Sequence, residues 1–220
     1  ETGAMIALLM EAGEAEFGDL KFMEGVLADI RQGNERGQLL AHGTAYIGDH
    51  YGLKRVPVIK KQAISAYDPR VIEVTGISMM LTAQGADHTT GNLFNVETKG
   101  KSTEELTKSS MEVQALCAAA DSLGLCVFGR SVTNINLDLI ITALNDALGT
   151  ELDDDFYVRL GTETLVLESQ FNTAAGFTEE DDKLPDFFYD EPLAPMNKSA
   201  RHHSAEVNQV RRDWIAEHAI

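Results

Sequence analysis

Apolar positions recur at helical spacing along most of the chain. Ile6, Leu9, Met10, Gly13 and Phe17 follow the i, i+3, i+4 rule. Phe22, Met23, Val26, Leu27 and Ile30 repeat it before Gly33 and Asn34 stop the pattern. The same reading predicts a third helix over 38–51, ending near Gly52. Gly52 to Ala63 holds Pro57 and reads as an extended connection, made basic by Lys54, Arg55, Lys60 and Lys61. From Ala66 to Asn95 there is no clean stripe, although Ile77, Met80 and Leu81 share a face within 76–84. Long irregular stretches in compact domains are usually functional, so a site is sought here first.

Beyond Lys101 the pattern sharpens. Ser102-x-x-Glu105 is a capping box, in which hydroxyl and carboxylate each satisfy one orphan N–H at a helix start. The helix it opens runs through Leu106, Val113, Leu116, Cys117 and Ala120 and breaks at Gly124. Asn134 or Asn136 caps the next, carried by Leu137, Ile140, Ile141, Leu144 and Leu148 up to Gly149. The hydroxyl and carboxylates of 150–155 suit the positive end of a helix through Phe156, Leu160, Thr164, Leu167 and Phe171. Thr178 to Asp182 reads as an acidic surface stretch and 184–195 as loop. Ser204 is expected to cap a last helix with Val207, Val210, Trp214 and Ile215. There is no internal repeat and no strand-like alternation longer than a few residues. The predicted fold class is all-α and multihelical, with a first helical portion over 1–60 and a second over 61–220.

Composition narrows the partners. A hydrophobic share of 44% in 220 residues supplies a core. Thirty-five acidic against 18 basic residues give −17, which argues against nucleic acid and anionic membranes, both gripped by Lys/Arg excess. Cys117 and Cys126 form no disulfide framework. No apolar run approaches the ~20 residues of a membrane span, and no basic-then-apolar leader is present. The chain starts Glu1-Thr2-Gly3 and enters an apolar helix at once, so it reads as a piece of a longer protein.

Three groups of residues carry candidate chemistry. In Asp121 to Cys126 a helix ends, a glycine turns the chain and a thiol follows; a turn that exposes N–H groups favours a thiolate or an anion. By itself the pattern is more often a buried structural cysteine. Asp87-His88, between Gly85 and Gly91, suits general acid–base work, or is an ordinary loop histidine held by local hydrogen bonds. Tyr67-Asp68-Pro69-Arg70 offers a phenol, a carboxylate and a guanidinium, for which a structural Asp–Arg brace is the plainer reading. His202-His203 reads as solvated. The acidic runs 153–155 and 179–182 lack the alternation and central glycine of a calcium loop. Ser78, Ser109 and Ser110 have no motif that would make Asp87-His88 part of a hydrolase.

Five stretches together resemble the C-terminal helical part of the aldehyde ferredoxin oxidoreductases, which are tungsten or molybdenum bis-pterin enzymes. They are Ala66-Tyr67-Asp68-Pro69-Arg70; Gly85-Ala86-Asp87-His88; the full Asp-x-x-Gly-Leu-Cys element at 121–126; 141–192, with Phe171-Asn172, Gly176-Phe177 and 181–185; and the opening 2–7. The resemblance implies that Cys126 is the fourth thiolate of a [4Fe–4S] cluster. It implies that Asp121 bonds a pterin edge with the Leu125 backbone nearby. His88 would be the proton donor or acceptor at an aldehyde carbonyl, and Tyr67 a second donor. The implied reaction is aldehyde plus water to carboxylate, with electrons leaving through the cluster to ferredoxin, in a cytoplasmic enzyme. The implied partners are an N-terminal pterin-binding domain, ferredoxin and the aldehyde, with a homo-oligomer left open. The family's other three cluster cysteines, Cys-x-x-Cys-x-x-x-Cys, do not occur here, so this chain alone is expected to hold neither cluster nor metal and to be inactive. The rival is a non-catalytic helical interaction module of the same fold.

Overall fold

Apolar side chains gather into two main cores that divide between Val56 and Ile59. The computed structural model describes residues 1–218 except 92 and 94. Among the described residues the first core belongs to α1 (Thr2–Glu11), α2 (Leu20–Gln32), α3 (Glu35–Leu40) and α4 (Gly43–His50), and holds Met5, Leu9, Val26, Leu40 and Ile47. Asp19 and Gly33 bound α2 as side-chain cap and left-handed stop. Two expectations fail here. The first helix ends at Glu11, and Phe17 beyond it is 67% exposed. The third is split at His42: the Glu1 carboxylate takes the Thr44 N–H at 3.1 Å and the Thr44 hydroxyl at 2.8 Å, so a distant residue caps α4 where the helix would have continued.

The expected extended connection folds back as an antiparallel hairpin of β1 (Val58–Ile59) and β2 (Gln62–Ala63). Its two turn residues, Lys60 and Lys61, have φ of 49° and 64°, a conformation that disfavours L side chains by roughly 1–2 kcal/mol each. Tertiary contacts hold it: Lys60 N–H donates to Asp181 O at 3.1 Å, and its ammonium pairs with Asp182.

The second core centres on α5 (Glu73–Leu81), where every residue from Val74 to Leu81 is buried. A helix buried all round, here with Thr75 and Ser78 inside, shows no apolar stripe against a polar face, which is why its periodicity is faint in the sequence. Its core is shared with α6 (Thr103–Ser122), α9 (Phe156–Ala174), the short α10 (Phe187–Asp190) inside the predicted 184–195 loop, and α11 (Ser204–Glu217), while α7 (Arg130–Thr133) follows the turn after α6 and α8 (Leu137–Leu148) packs on α9. The capping box at Ser102 and Glu105 forms as predicted. Ser204 makes no cap hydrogen bond; His203 stands at that position. Helices α6 and α9 cross closely enough that a Cβ on Gly161 would lie 1.8 Å from Ala115 O. The all-α, multihelical expectation holds. No single described helix is long and apolar enough to cross a membrane.

One residue of each of two predicted surface features lies inside. Asp182 is 1% exposed and His202 4%. The cause is α11, which lies across α5 and α6 and closes over both. Asp182 accepts from Lys60 and, at 2.8 Å, from Arg211 of α11. His202 Nδ1 pairs with the Thr103 hydroxyl at 3.0 Å.

Candidate functional site

The irregular stretch between α5 and α6 carries His88 on a loop pinned at both ends. Gly85 has φ +100°, and a Cβ there would sit 2.6 Å from Ile59 O of the hairpin. Gly91, at φ +130°, lies against the α6 backbone, where a Cβ would be 2.9 Å from Gln114 N. Only glycine fits such approaches in these conformations. Between them Asp87 organises the loop: it accepts from Thr89 N–H at 3.0 Å, from the Thr89 hydroxyl at 2.6 Å and from Gln84.

Asp87 and His88 are not hydrogen-bonded to each other. The shortest approach is 3.8 Å, beyond hydrogen-bond reach, and the Asp87 oxygens are engaged within the loop. His88 instead tilts against Tyr67, with ring centroids 5.3 Å apart and planes at 34°. Its side chain is 43% exposed. Tyr67 is held by the turn after it, where Asp68 binds Arg70 through both oxygens, at 3.0 and 2.6 Å. Arg70 also reaches Glu191 O at 2.7 Å and lies over the Phe188 ring. The Asp68–Arg70 brace is therefore structural, as the plainer reading had it.

The Asp121–Cys126 turn comes close to this loop. Its N–H groups are not free: Leu123, Gly124 and Leu125 donate to Ala119, Asp121 and Ala120 carbonyls, at 3.1, 3.0 and 2.8 Å. The expected donor nest is thus used up in closing α6. The Leu125 side chain packs with Tyr157, Ala119 and Ala120, which anchors the turn. Cys126 follows as an exposed free thiol, not the buried cysteine that is commoner in such turns. Cys117 is the buried one; burial pushes its thiol up, against a hydrogen bond from Arg130.

Val127, Phe128, Arg130 and Ser131, directly after Cys126, line one cavity of about 260 Å³ with Tyr67, His88 and Thr89. Asp121 lies in a neighbouring cavity of about 220 Å³ with Gln84, Thr90 and Glu168. Partial burial, then the nearby Asp87 carboxylate, hold the Asp121 carboxyl above its ordinary range. The fold therefore gathers Tyr67, His88 and the segment after Cys126 at one cavity and sets Asp121 beside Gln84 of the same loop. Sequence reading missed Arg130 and Phe128; the one available signal was their position just after the cysteine turn. Ser78 and Ser110 are buried and bonded to each other at 2.8 Å between α5 and α6, so neither serves as a nucleophile for a hydrolase.

No cluster of three or more His, Cys, Asp or Glu side chains that could hold a metal ion occurs among the described residues. An exposed thiol and a surface carboxylate fit a group shared with another part of a protein, each offering one contact.

The profile of "Aldehyde ferredoxin oxidoreductase, domains 2 & 3" matches residues 1–216. Tungsten-containing aldehyde ferredoxin oxidoreductase of Pyrococcus horikoshii is 28% identical over 187 residues, covering 80% of this chain and 30% of the relative. That of Pyrococcus furiosus is 28% identical over 196 residues, covering 83% and 32%. That of Thermococcus kodakarensis is 27% identical over 196 residues. The chain spans about a third of the length of these relatives. With a match across nearly its whole length, the chain belongs to the aldehyde ferredoxin oxidoreductase family, over the part that forms domains 2 and 3.

Proposed function

We propose that this chain forms one wall of the active site of a tungsten or molybdenum bis-pterin enzyme that oxidises aldehydes to carboxylates and passes electrons to ferredoxin. The observation that carries the reading is the single cavity lined by Tyr67, His88 and the residues directly after Cys126. The two apolar cores, dividing between Val56 and Ile59, support a boundary near residue 60 between two domains. When bound, the metal–pterin centre and its [4Fe–4S] cluster supply two-electron oxidation and the electron exit.

The chain's own residues bind, orient and move protons. His88 offers a half-exposed imidazole to a carbonyl oxygen, as donor or acceptor. Tyr67 packs against the imidazole, limits its rotation and brings a phenol to the same cavity. Arg130 adds a fixed positive charge where oxygen gains electron density. Phe128, at 90% exposure, offers an apolar surface to the pterin-binding domain and would keep water from the cavity. Cys126 presents one thiolate to the cluster, whose other three come from the N-terminal domain. Asp121 reaches the pterin edge.

The test uses the enzyme assembled with its pterin-binding domain. His88→Ala keeps iron, metal and pterin and loses ~10²–10⁴ in turnover. Cys126→Ser loses iron, because a serine oxygen is a harder and less available ligand than thiolate. Wild-type turnover in His88→Ala rules out the role of His88. Full iron content with an unchanged cluster spectrum in Cys126→Ser rules out ligation.

A further inference from the structure

Arg130 stands apart from the other arginines of the chain. Nine arginines share this sequence with 35 acids. Seven of the nine are in ion pairs among the described residues. Arg31 and Arg130 are not; Arg31 is exposed on α2, where solvent serves it, whereas Arg130 is half-buried at a cavity. The Arg130 guanidinium donates to the thiol of Cys117, a neutral and weak acceptor that leaves the positive charge unmatched.

The residues that this chain gives to the cavity include no acid. Tyr67, Val127 and Phe128 form apolar walls, Thr89 and Ser131 bring hydroxyls, and His88 brings its imidazole. Asp87 comes to 3.8 Å from His88, but its oxygens are engaged by Thr89 and Gln84. Asp121 lines the neighbouring cavity. The volume of about 260 Å³ exceeds the ~150 Å³ that takes up benzene, so a short aldehyde with a second functional group has room. In a chain of net charge −17, a cavity with an unmatched cation and no acid is the reverse of its surroundings. Such a site concentrates anions locally and orients them. A guanidinium bonds a carboxylate through charge-assisted hydrogen bonds in its own plane. One cation offsets one charge, so a carboxylate suits it better than a phosphate dianion.

We propose that the substrate is an aldehyde that carries a carboxylate, with His88 at the carbonyl oxygen and the Arg130 charge, which also favours that oxygen as it gains electron density, holding the carboxylate. Arg130 is then a specificity-determining residue. The inference rests on the reading of this cavity as the place where aldehyde is oxidised. Aldehyde and water give a second carboxylate, three protons and two electrons, the electrons passing to ferredoxin, so the product is a dicarboxylate.

The test compares 4-oxobutanoate and 5-oxopentanoate with their methyl esters as substrates of the enzyme assembled with its pterin-binding domain. At least one acid should exceed its ester about tenfold or more in kcat/KM, the contribution of roughly one charge-assisted hydrogen bond. Higher ionic strength should shrink this ratio, because Arg130 is only half-buried. Arg130→Met should bring the ratio to about one, and Arg130→Lys should keep part of it. A purely structural Arg130 would lower acid and ester together and leave the ratio unmoved. If Arg130→Met does not assemble, the wild-type ratio and its fall with salt decide. Equal use of acids and esters, which is also the result expected if Arg130 meets an acid of the pterin-binding domain, overturns this inference and leaves the proposed oxidation standing. A preference that survives Arg130→Met does the same. No turnover of any of the four aldehydes overturns the oxidation reading itself, and this inference with it.

Discussion

Two polar regions border the second core, and they are satisfied in opposite ways. Under α11 the partners come from far apart: Lys60 and Asp182 are 122 residues apart in sequence, and Arg201 and Glu73 are 128 apart. Lys60, Asp182 and His202 are nearly all buried there: Lys60 and Asp182 meet each other, and His202 bonds Thr103 through Nδ1 while its buried Nε2 lies 3.7 Å from Glu73 without a hydrogen bond. Around the His88 loop and the Cys126 turn the bonds are short-range. Asp87 bonds within three residues, and the turn N–H groups close on the last turn of α6. The side chains of His88 and Cys126 remain partly or wholly exposed and take no hydrogen bond among the described residues. The first arrangement holds the fold together. The second is self-supporting, so it can point reactive groups outward at little expense in stability.

Asp182→Ala gives the largest expected effect. It strands a buried ammonium and part of a guanidinium, and breaking a buried pair on one side typically costs about 3–5 kcal/mol. Urea denaturation of the chain measures it; a loss under about 1 kcal/mol would dissolve the contrast between the regions. Gly85→Ala acts at their joint. The added methyl meets Ile59 O in a backbone conformation that disfavours it, for about 1–3 kcal/mol. It should also shift the His88 resonance in NMR spectra; an unmoved His88 would show that the loop is not set by the hairpin.

The pH dependence separates the regions further. Burial, then Arg201, lower the His202 imidazole below its usual 6.5, against the pull of Glu73. Below about pH 6.5 the unfolded chain takes up a proton that the folded chain refuses, so stability falls as pH drops through that value. His202→Asn keeps a partner for Thr103 and should flatten this slope. Glu73 works in a lower window. Burial would raise its carboxyl, but hydrogen bonds from Arg201 and Thr98 outweigh that and hold it below 4.5, so its contribution fades only in stronger acid. A slope between pH 7 and 5 that survives His202→Asn would assign it to another group.

The smallest effect belongs to Asp121. Its raised carboxyl favours the folded state in the protonated form, so stability declines as pH rises through its titration. Asp121→Asn removes the repulsion with Asp87 and should stabilise the chain at neutral pH by less than about 1 kcal/mol, because the residue is largely solvated. Destabilisation there would mean that the carboxylate holds a structural partner, and that the site region is less self-contained than the contrast supposes.

What could be read in the sequence was whatever is decided within a few residues. The capping box at Ser102, the glycine stop at 33, the Asp68–Arg70 brace and the Asp-x-x-Gly-Leu-Cys turn are all local, and all appear. The family followed from such stretches, because their order along the chain is itself a local record. What could not be read depends on which distant residue arrives. The Glu1 carboxylate caps α4 and splits a helix that periodicity ran through. Asp182 supports a hairpin whose two lysines carry no turn signal, and α11 brings Asp182 of an acidic surface run and His202 of a histidine pair into the interior, while Glu179, Glu180 and His203 stay exposed. Helix starts and tight turns are set by bonds between near neighbours, whose energies the chain meets in any conformation. The burial of a charge is set by partners that only the packed structure brings together, and at several kcal/mol that partnership outweighs the local preferences.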